Sequence, residues 1–239
     1  MNEAASAEGV VPDDAVSGRT RYYKKDFWRH ENLKFSEPWY RLQKTARLIA
    51  KLTRGKECAL LDIGCGPAAL MPLLLPNIQY HGIDIAIQKP TPNLIEADLL
   101  EAPIRFNGKR FDFIVAQGVF EYFGEFQSQK FAEIARLLND GGKFLVTYTN
   151  FDHRKKYIYP AFSNVQPLAE FRADLAQYFN IDRFFPVSYN WKHGHPSKRL
   201  VRALNMPVKA TIPLLGPMLG VEYYFICSPS RQEASTDVR

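Results

Sequence analysis

Leu61-Asp62-Ile63-Gly64-Cys65-Gly66-Pro67-Ala68 decides the fold: an apolar run carrying one acid ends at two glycines a residue apart and passes into an Ala- and Leu-rich stretch. On the upstream side, Cys58 to Ile63 is too short for a helix and reads as a buried strand. On the downstream side, Ala68 to Leu75 reads as a helix. Glycine at such a bend lets backbone approach a ligand with no Cβ in the way, and a helix start presents unpaired N–H groups. Taken alone, the G-x-G pattern fits an ordinary tight turn better than a cofactor loop.

Working outward, helical and strand patterns alternate. Trp39, Leu42, Ala46, Ile49 and Thr53 recur at three- and four-residue steps behind Ser36 and Pro38, which predicts an amphipathic helix. Strands are expected at Tyr80–Asp84, Leu94–Ala97 and Phe111–Gln117, then a helix with Phe131, Ile134, Ala135 and Leu138 on one face, stopped by Asn139-Asp140-Gly141-Gly142. Lys143 to Thr149 is a further strand. Strands separated by helix-length segments imply right-handed βαβ units and a parallel sheet. The last third changes rhythm: a helix at Gln166–Tyr178, strands at Ile181–Tyr189 and Glu222–Ser228, and between those strands a Pro-interrupted insertion, Trp191 to Gly220, expected to cover one edge of a site. Residues 1–18 and 230–239 read as polar tails around a single domain over 19–229, with 19–55 as an N-terminal lid and helix and 150–220 as an elaboration on one side of the site.

Composition agrees with a globular enzyme-sized domain. The chain has 239 residues, 46% of them apolar and 23% charged, and a fold of this length buries roughly 70% of the surface of its unfolded chain. That excludes a disordered linker, a disulfide-stapled miniprotein and a collagen-like repeat. No apolar run reaches the ~20 residues of a membrane span, and the acidic, Ala-rich start lacks the pattern of a signal peptide, so a cytoplasmic location without integral membrane contact is expected. Cys58, Cys65 and Cys227 have no C-x-x-C spacing and no clustered histidines, which leaves neither a disulfide framework nor a metal site expected. Between Phe151 and Thr211 ten basic residues face four acidic ones, the mark of an acidic partner or of a solvated face.

Two acids downstream sharpen the reading of the glycine bend. Asp84 ends the second strand twenty residues after Gly64, where a carboxylate in nucleotide-binding units accepts from ribose hydroxyls. Asp98 ends the next short strand, where it can accept from an adenine amino group while neighbouring apolar side chains cover the ring.

With Asp62-Ile63-Gly64-Cys65-Gly66 as a first motif, Gly82-Ile83-Asp84 as the second-strand acid, Glu96-Ala97-Asp98 as the adenine-side acid, and Phe111 through Tyr122 as the fourth strand and its loop, the chain resembles the class I S-adenosylmethionine-dependent methyltransferases. Leu137 to Phe144 is similar to that family's helix end and fifth strand, and the likeness runs from about Arg41 to Thr149 and again at the last strand. The resemblance implies an α/β fold with a doubly wound, mostly parallel seven-stranded sheet, helices on both faces, and S-adenosylmethionine as cofactor. It implies a cofactor site of Asp62, Gly64, Cys65, Gly66, Asp84, Ile85, Asp98, Leu99 and Gln117: the glycines against the methionine part, Asp62 toward its amino group, Asp84 on the ribose, Asp98 on the adenine amino group, Gln117 through its backbone. Pro67-Ala68 replaces the usual third glycine, and Phe120-Glu121-Tyr122 stands where Leu-Glu-His is common, so no histidine carries over there. A dinucleotide is the competing cofactor, but Asp62 directly before the loop would repel a pyrophosphate and attract an ammonium.

A sulfonium methyl is already electrophilic, so the protein has to align the acceptor and exclude water. An oxygen acceptor gains from a base. Ligands of open α/β sheets bind beyond the C-terminal strand ends, which makes His153 the first candidate for base or acceptor contact, with Glu121 and Tyr122 as candidate pocket residues. Each is also explained as a capping or packing residue. His193 and His195 carry metal-like spacing without an acidic partner, and Tyr22, Tyr23 and Trp28 form an aromatic lid or an anchor on the sheet. The expected acceptor is a small molecule, anionic through Arg154-Lys155-Lys156 and Lys198-Arg199 or amphipathic through the aromatic cover. RNA or protein methylation and a non-catalytic S-adenosylmethionine-binding module are the alternatives; against nucleic acid stand the missing Asn/Asp-Pro-Pro-aromatic pattern and the missing basic tail.

Overall fold

A computed structural model describes residues 39–87, 89–106, 108–153, 162–189 and 220–230. The lid segment with Tyr22, Tyr23 and Trp28, the basic Arg154-Lys155-Lys156, the proline-interrupted insertion with His193 and His195, and both tails lie outside the described residues.

Seven strands build one sheet: β1 (Cys58–Ile63), β2 (Ile78–Asp84), β3 (Leu94–Glu96), β4 (Phe111–Gln117), β5 (Leu138–Thr149), β6 (Phe179–Tyr189) and β7 (Gly220–Pro229). Their order is β3-β2-β1-β4-β5-β7-β6. β1 to β5 run parallel, and β7 enters antiparallel between β5 and β6. The chain moves one way from β1 to β2 and β3, then returns to its other side at β4. The crevice that this reversal opens lies at the C-terminal ends of β1 and β4, the place where such sheets hold ligands.

Alternation along the central strands feeds two cores. Leu61, Ile63, Ile114, Phe144, Val146, Tyr223 and Phe225 turn to one face, where the helices α2 (Gln127–Leu137) and α3 (Leu168–Ala176) bring Phe131, Ile134, Phe171 and Leu175. Leu60, Val115, Leu145, Tyr224 and Ile226 turn to the other, beneath Leu42, Ala46 and Ile49 of α1 (Trp39–Thr53). The doubly wound sheet with helices on both faces, expected from the sequence, is the fold observed.

Two local expectations are corrected. The stretch 68–75 is not an α-helix but a series of turns closed by a short 3-10 segment at Met71–Leu73. Ala68 sits at φ 56°, outside helical backbone, and Pro72 has no N–H to return to the preceding turn and would press on the Ala68 carbonyl. The helix expected to run to Leu138 ends at Leu137; Leu138 pairs with Phe111 as the start of β5, and a bulge follows before Lys143 pairs with Phe113. Gly141 at φ 76° lies inside that bulge. A turn signal was read correctly there and assigned to the wrong element.

Candidate active site

β1 delivers Asp62 to the crevice with its side chain buried. Tyr80 of the adjacent strand donates its hydroxyl to Asp62 Oδ2 at 2.8 Å, the one hydrogen bond to this carboxylate among the described residues. Burial pushes the Asp62 carboxyl up to about 7; the Tyr80 bond opposes the rise and the charge of Asp84 adds to it. Tyr80 gave no signal in the sequence beyond its place in a strand, because register across β1 and β2 is what brings it to Asp62.

Behind Asp62 the bend turns inward. Gly64 and Cys65 donate their N–H groups to the Ile83 carbonyl at 2.8 and 3.3 Å, Gly66 donates to Asp84 Oδ2 at 2.8 Å, and Ala68 donates to the Cys65 carbonyl at 2.9 Å. Pro67 has no N–H. The amides from 64 to 68 are therefore committed, and an α-helix start does not follow them. A pyrophosphate seeks unpaired amides at a helix N-terminus, and this bend offers neither.

The two glycines have different reasons. At Gly64, φ 69°, an added Cβ would stand 2.3 Å from Val119 Cγ2. At Gly66, φ 52°, nothing lies within 4 Å of such a Cβ, so this position faces open space. Cys65 buries its thiol in the core with Leu60 and Tyr80, so only its backbone borders the crevice.

Asp84 closes the far side of the bend. Ala86 donates to its Oδ1 at 3.0 Å and Gly66 to its Oδ2. Burial raises its pKa, and the amides of Ala86, Gly66 and Ile85 counter this. Glu96 accepts the Ile87 N–H at 3.0 Å, and Asp98 accepts the Leu100 N–H at 2.9 Å. Leu99 packs its side chain into the core beside Ile63 and Ile83. Gln117 ends β4, with Oε1 accepting from Thr45 Oγ1 at 2.9 Å; that hydroxyl is 2.9 Å from Tyr224 Oη, which then donates to it.

On the β4–β5 side, Glu121 and Tyr122 lie in a short 3-10 turn and are buried. His153 ends a similar turn after β5; its side chain lies outside the described residues. The ion pair of Arg41 Nη1 with Glu222 Oε1, 2.7 Å, spans from α1 to β7 at this end. Sequence reading missed it, although Glu222 is the single acid in an otherwise apolar strand and was the available signal. Among the described residues, no cluster of metal-ligating side chains is present.

A family model described as a methyltransferase domain matches residues 27–186, two thirds of the chain. The chain belongs to the methyltransferase-domain family. Solved structures with the same fold include the N-methyltransferase NodS of Bradyrhizobium japonicum with S-adenosylhomocysteine (12% identity, TM-score 0.56, covering 87% of this chain and 98% of that one). A Clostridium acetobutylicum S-adenosylmethionine-dependent methyltransferase matches at 13% identity and TM-score 0.56, over 86% and 98% of the two chains. The plantazolicin methyltransferase BpumL, in complex with a desmethyl analogue and S-adenosylhomocysteine, matches at 12% and 0.54, over 85% and 88%. No curated protein matches the chain. The enzyme is thus an S-adenosylmethionine-dependent methyltransferase. The described residues suit that cofactor: a buried carboxylate with one donor, a second carboxylate across the bend, and open space over Gly66 meet an ammonium, a ribose diol and the chain between them.

Proposed function

We propose that the methyltransferase transfers the methyl group to an oxygen or nitrogen of a small-molecule acceptor held at the C-terminal ends of β4 and β5, beside the start of β7. When bound, S-adenosylmethionine supplies an electrophilic methyl on a positive sulfur. Asp62 holds the amino group of its methionine part, and the backbone of Gly64, Cys65, Gly66 and Gln117 borders that part. Asp84, beside Ile85, receives the ribose hydroxyls, and Asp98, with Leu99 behind it, the adenine amino group. Glu121, Tyr122 and His153 stand on the acceptor side. Residues 150–220 elaborate that side and 19–55 cover the cofactor, within one domain over 19–229 flanked by tails at 1–18 and 230–239, in a cytoplasmic setting. Among the described residues, no helix is long and apolar enough to cross a membrane.

The observation that carries this reading is the pair Asp62 and Asp84 on either side of a bend whose amides are already committed. Proteins of the same fold support the acceptor class: one is an N-methyltransferase and another, a plantazolicin methyltransferase, was crystallised with a triazolic desmethyl analogue. Calorimetric titration with S-adenosylhomocysteine and with NAD tests the cofactor half. Uptake of the first alone is expected, and uptake of NAD alone overturns it. Turnover on a metabolite panel, with His153→Ala compared against the parent, tests the acceptor half; methylation confined to RNA or protein substrates would refute it.

A further inference from the structure

The turn after β4 sets Glu121 where β4 and β5 end and β7 begins, with 1% of its surface exposed. Its two oxygens are treated differently. Oε1 accepts from the Thr149 N–H and from Thr149 Oγ1, each at 2.9 Å, which fixes the carboxylate on the last residue of β5. Oε2 is buried and has no hydrogen-bond partner among the described residues. A buried carboxylate oxygen without a donor is disfavoured, and here it sits at the ligand end of the sheet, so the missing donor is one that arrives with a ligand.

The charges around it indicate what kind of donor. Thr149 pairs across the sheet with Glu222, whose carboxylate is bound to Arg41 of α1. Tyr148 of β5 is within electrostatic range of Glu121 and of Asp152. Among the described residues, this end of the crevice holds two carboxylates, Glu121 and Glu222, and one guanidinium, that of Arg41. A hydroxyl would supply a donor without charge; an ammonium supplies both.

We propose that the acceptor's reacting group is an amine, which enters as an ammonium and donates to Glu121 Oε2, and that Glu121 takes the proton that must leave before the nitrogen can react. This rests on the methyltransferase reading above and narrows its acceptor. The ammonium gives one proton to Oε2, leaving a neutral amine with a free electron pair and a neutral Glu121. The nitrogen then gains the methyl group and the positive charge, and the electrons of the broken carbon–sulfur bond remain on sulfur. Burial and the neighbouring Glu222 raise the Glu121 pKa, with Thr149 and Arg41 opposing them. A carboxyl whose pKa is raised holds a transferred proton more readily, which suits that exchange.

The test uses the full chain saturated with S-adenosylhomocysteine and titrated with methylammonium or tetramethylammonium chloride at constant ionic strength, followed by NMR shifts. Methylammonium is expected to saturate, and tetramethylammonium, which has no N–H, to bind about tenfold more weakly or worse. Glu121→Gln keeps the Thr149 contacts and is expected to retain S-adenosylhomocysteine binding while losing about fivefold or more in methylammonium affinity. Should this variant not fold, the comparison of the two ions on the parent protein decides alone. Equal binding of the two ions, or equal methylammonium binding by parent and variant, overturns the proposal. Failure to bind S-adenosylhomocysteine would remove the methyltransferase reading with it, whereas its binding without methylammonium binding removes this inference only.

Discussion

Asp62 is a carboxylate whose burial disfavours its charge. Its folded pKa, about 7, lies above the 3.8 of an unperturbed carboxyl, so between those values the folded chain holds a proton that the unfolded chain has released. The stability of the ligand-free protein is therefore expected to fall as pH rises from 4 to 7, with the full penalty in place above 7. Denaturant titrations across that range check it, and Asp62→Asn should flatten the slope. Binding of an ammonium beside Asp62 favours the charged form, so at pH 6 S-adenosylhomocysteine uptake should release a proton, seen as a buffer-dependent calorimetric heat. The glycines separate along the same lines. Gly64→Ala meets both a positive φ and Val119, and should lose about 3 kcal/mol of stability. Gly66→Ala meets only the backbone term, about 1 kcal/mol, and should instead lose cofactor affinity because its Cβ enters the open space. Chemical denaturation and ligand titration of the pair distinguish the two. Sequence placed both glycines and Asp62 at the bend, but not Val119 or Tyr80, whose contacts depend on how strands and loops distant in the chain are brought together.

At the scale of elements, strands were legible and short helical pieces were not. β1 and β4 match their expected limits because apolar runs end at Gly64 and Gly118, and β-branched or aromatic residues fill them. The stretch 68–75 is apolar at helical spacing, and Pro72 within it and Pro76 directly after it are the overriding signal. α3 is the helix whose packing the sequence undersold. Phe171 is fully buried, stacked on Tyr148 at 3.9 Å between ring centres with an interplanar angle of 6°, and edge-on to Phe120 and Phe131. Phe171→Ala should cost about 3–5 kcal/mol. Because Tyr148 neighbours Thr149, which grips Glu121, the acceptor side should loosen before the cofactor side, a difference that hydrogen exchange at Thr149 and at Gly66 reads directly.

At the scale of the whole molecule, ligand and fold are linked through strands far apart in sequence. A ligand that binds only the folded state stabilises it by about 2.7 kcal/mol at a hundred times its dissociation constant. S-adenosylhomocysteine should produce that gain in the parent protein, and Asp84→Ala should need about tenfold more ligand to match it, equivalent to about 1.4 kcal/mol. Thermal unfolding at graded ligand concentrations measures both. The parallel sheet follows from the alternation of strands and helices and its doubly wound, seven-stranded form from the family resemblance, but the strand order and the Arg41–Glu222 pair, which ties the first helix to the last strand, do not. Residues 181 positions apart carry no mutual pattern in a single chain.

The hydrogen bonds that commit the amides of Gly64, Cys65 and Gly66 to Ile83 and Asp84 also have a kinetic corollary. A cradle already closed on its own backbone has no refolding step to complete when its guest arrives, so capture should proceed in a single concentration-dependent phase in stopped-flow mixing. Differences among nucleoside analogues should then show themselves chiefly in how long each one stays.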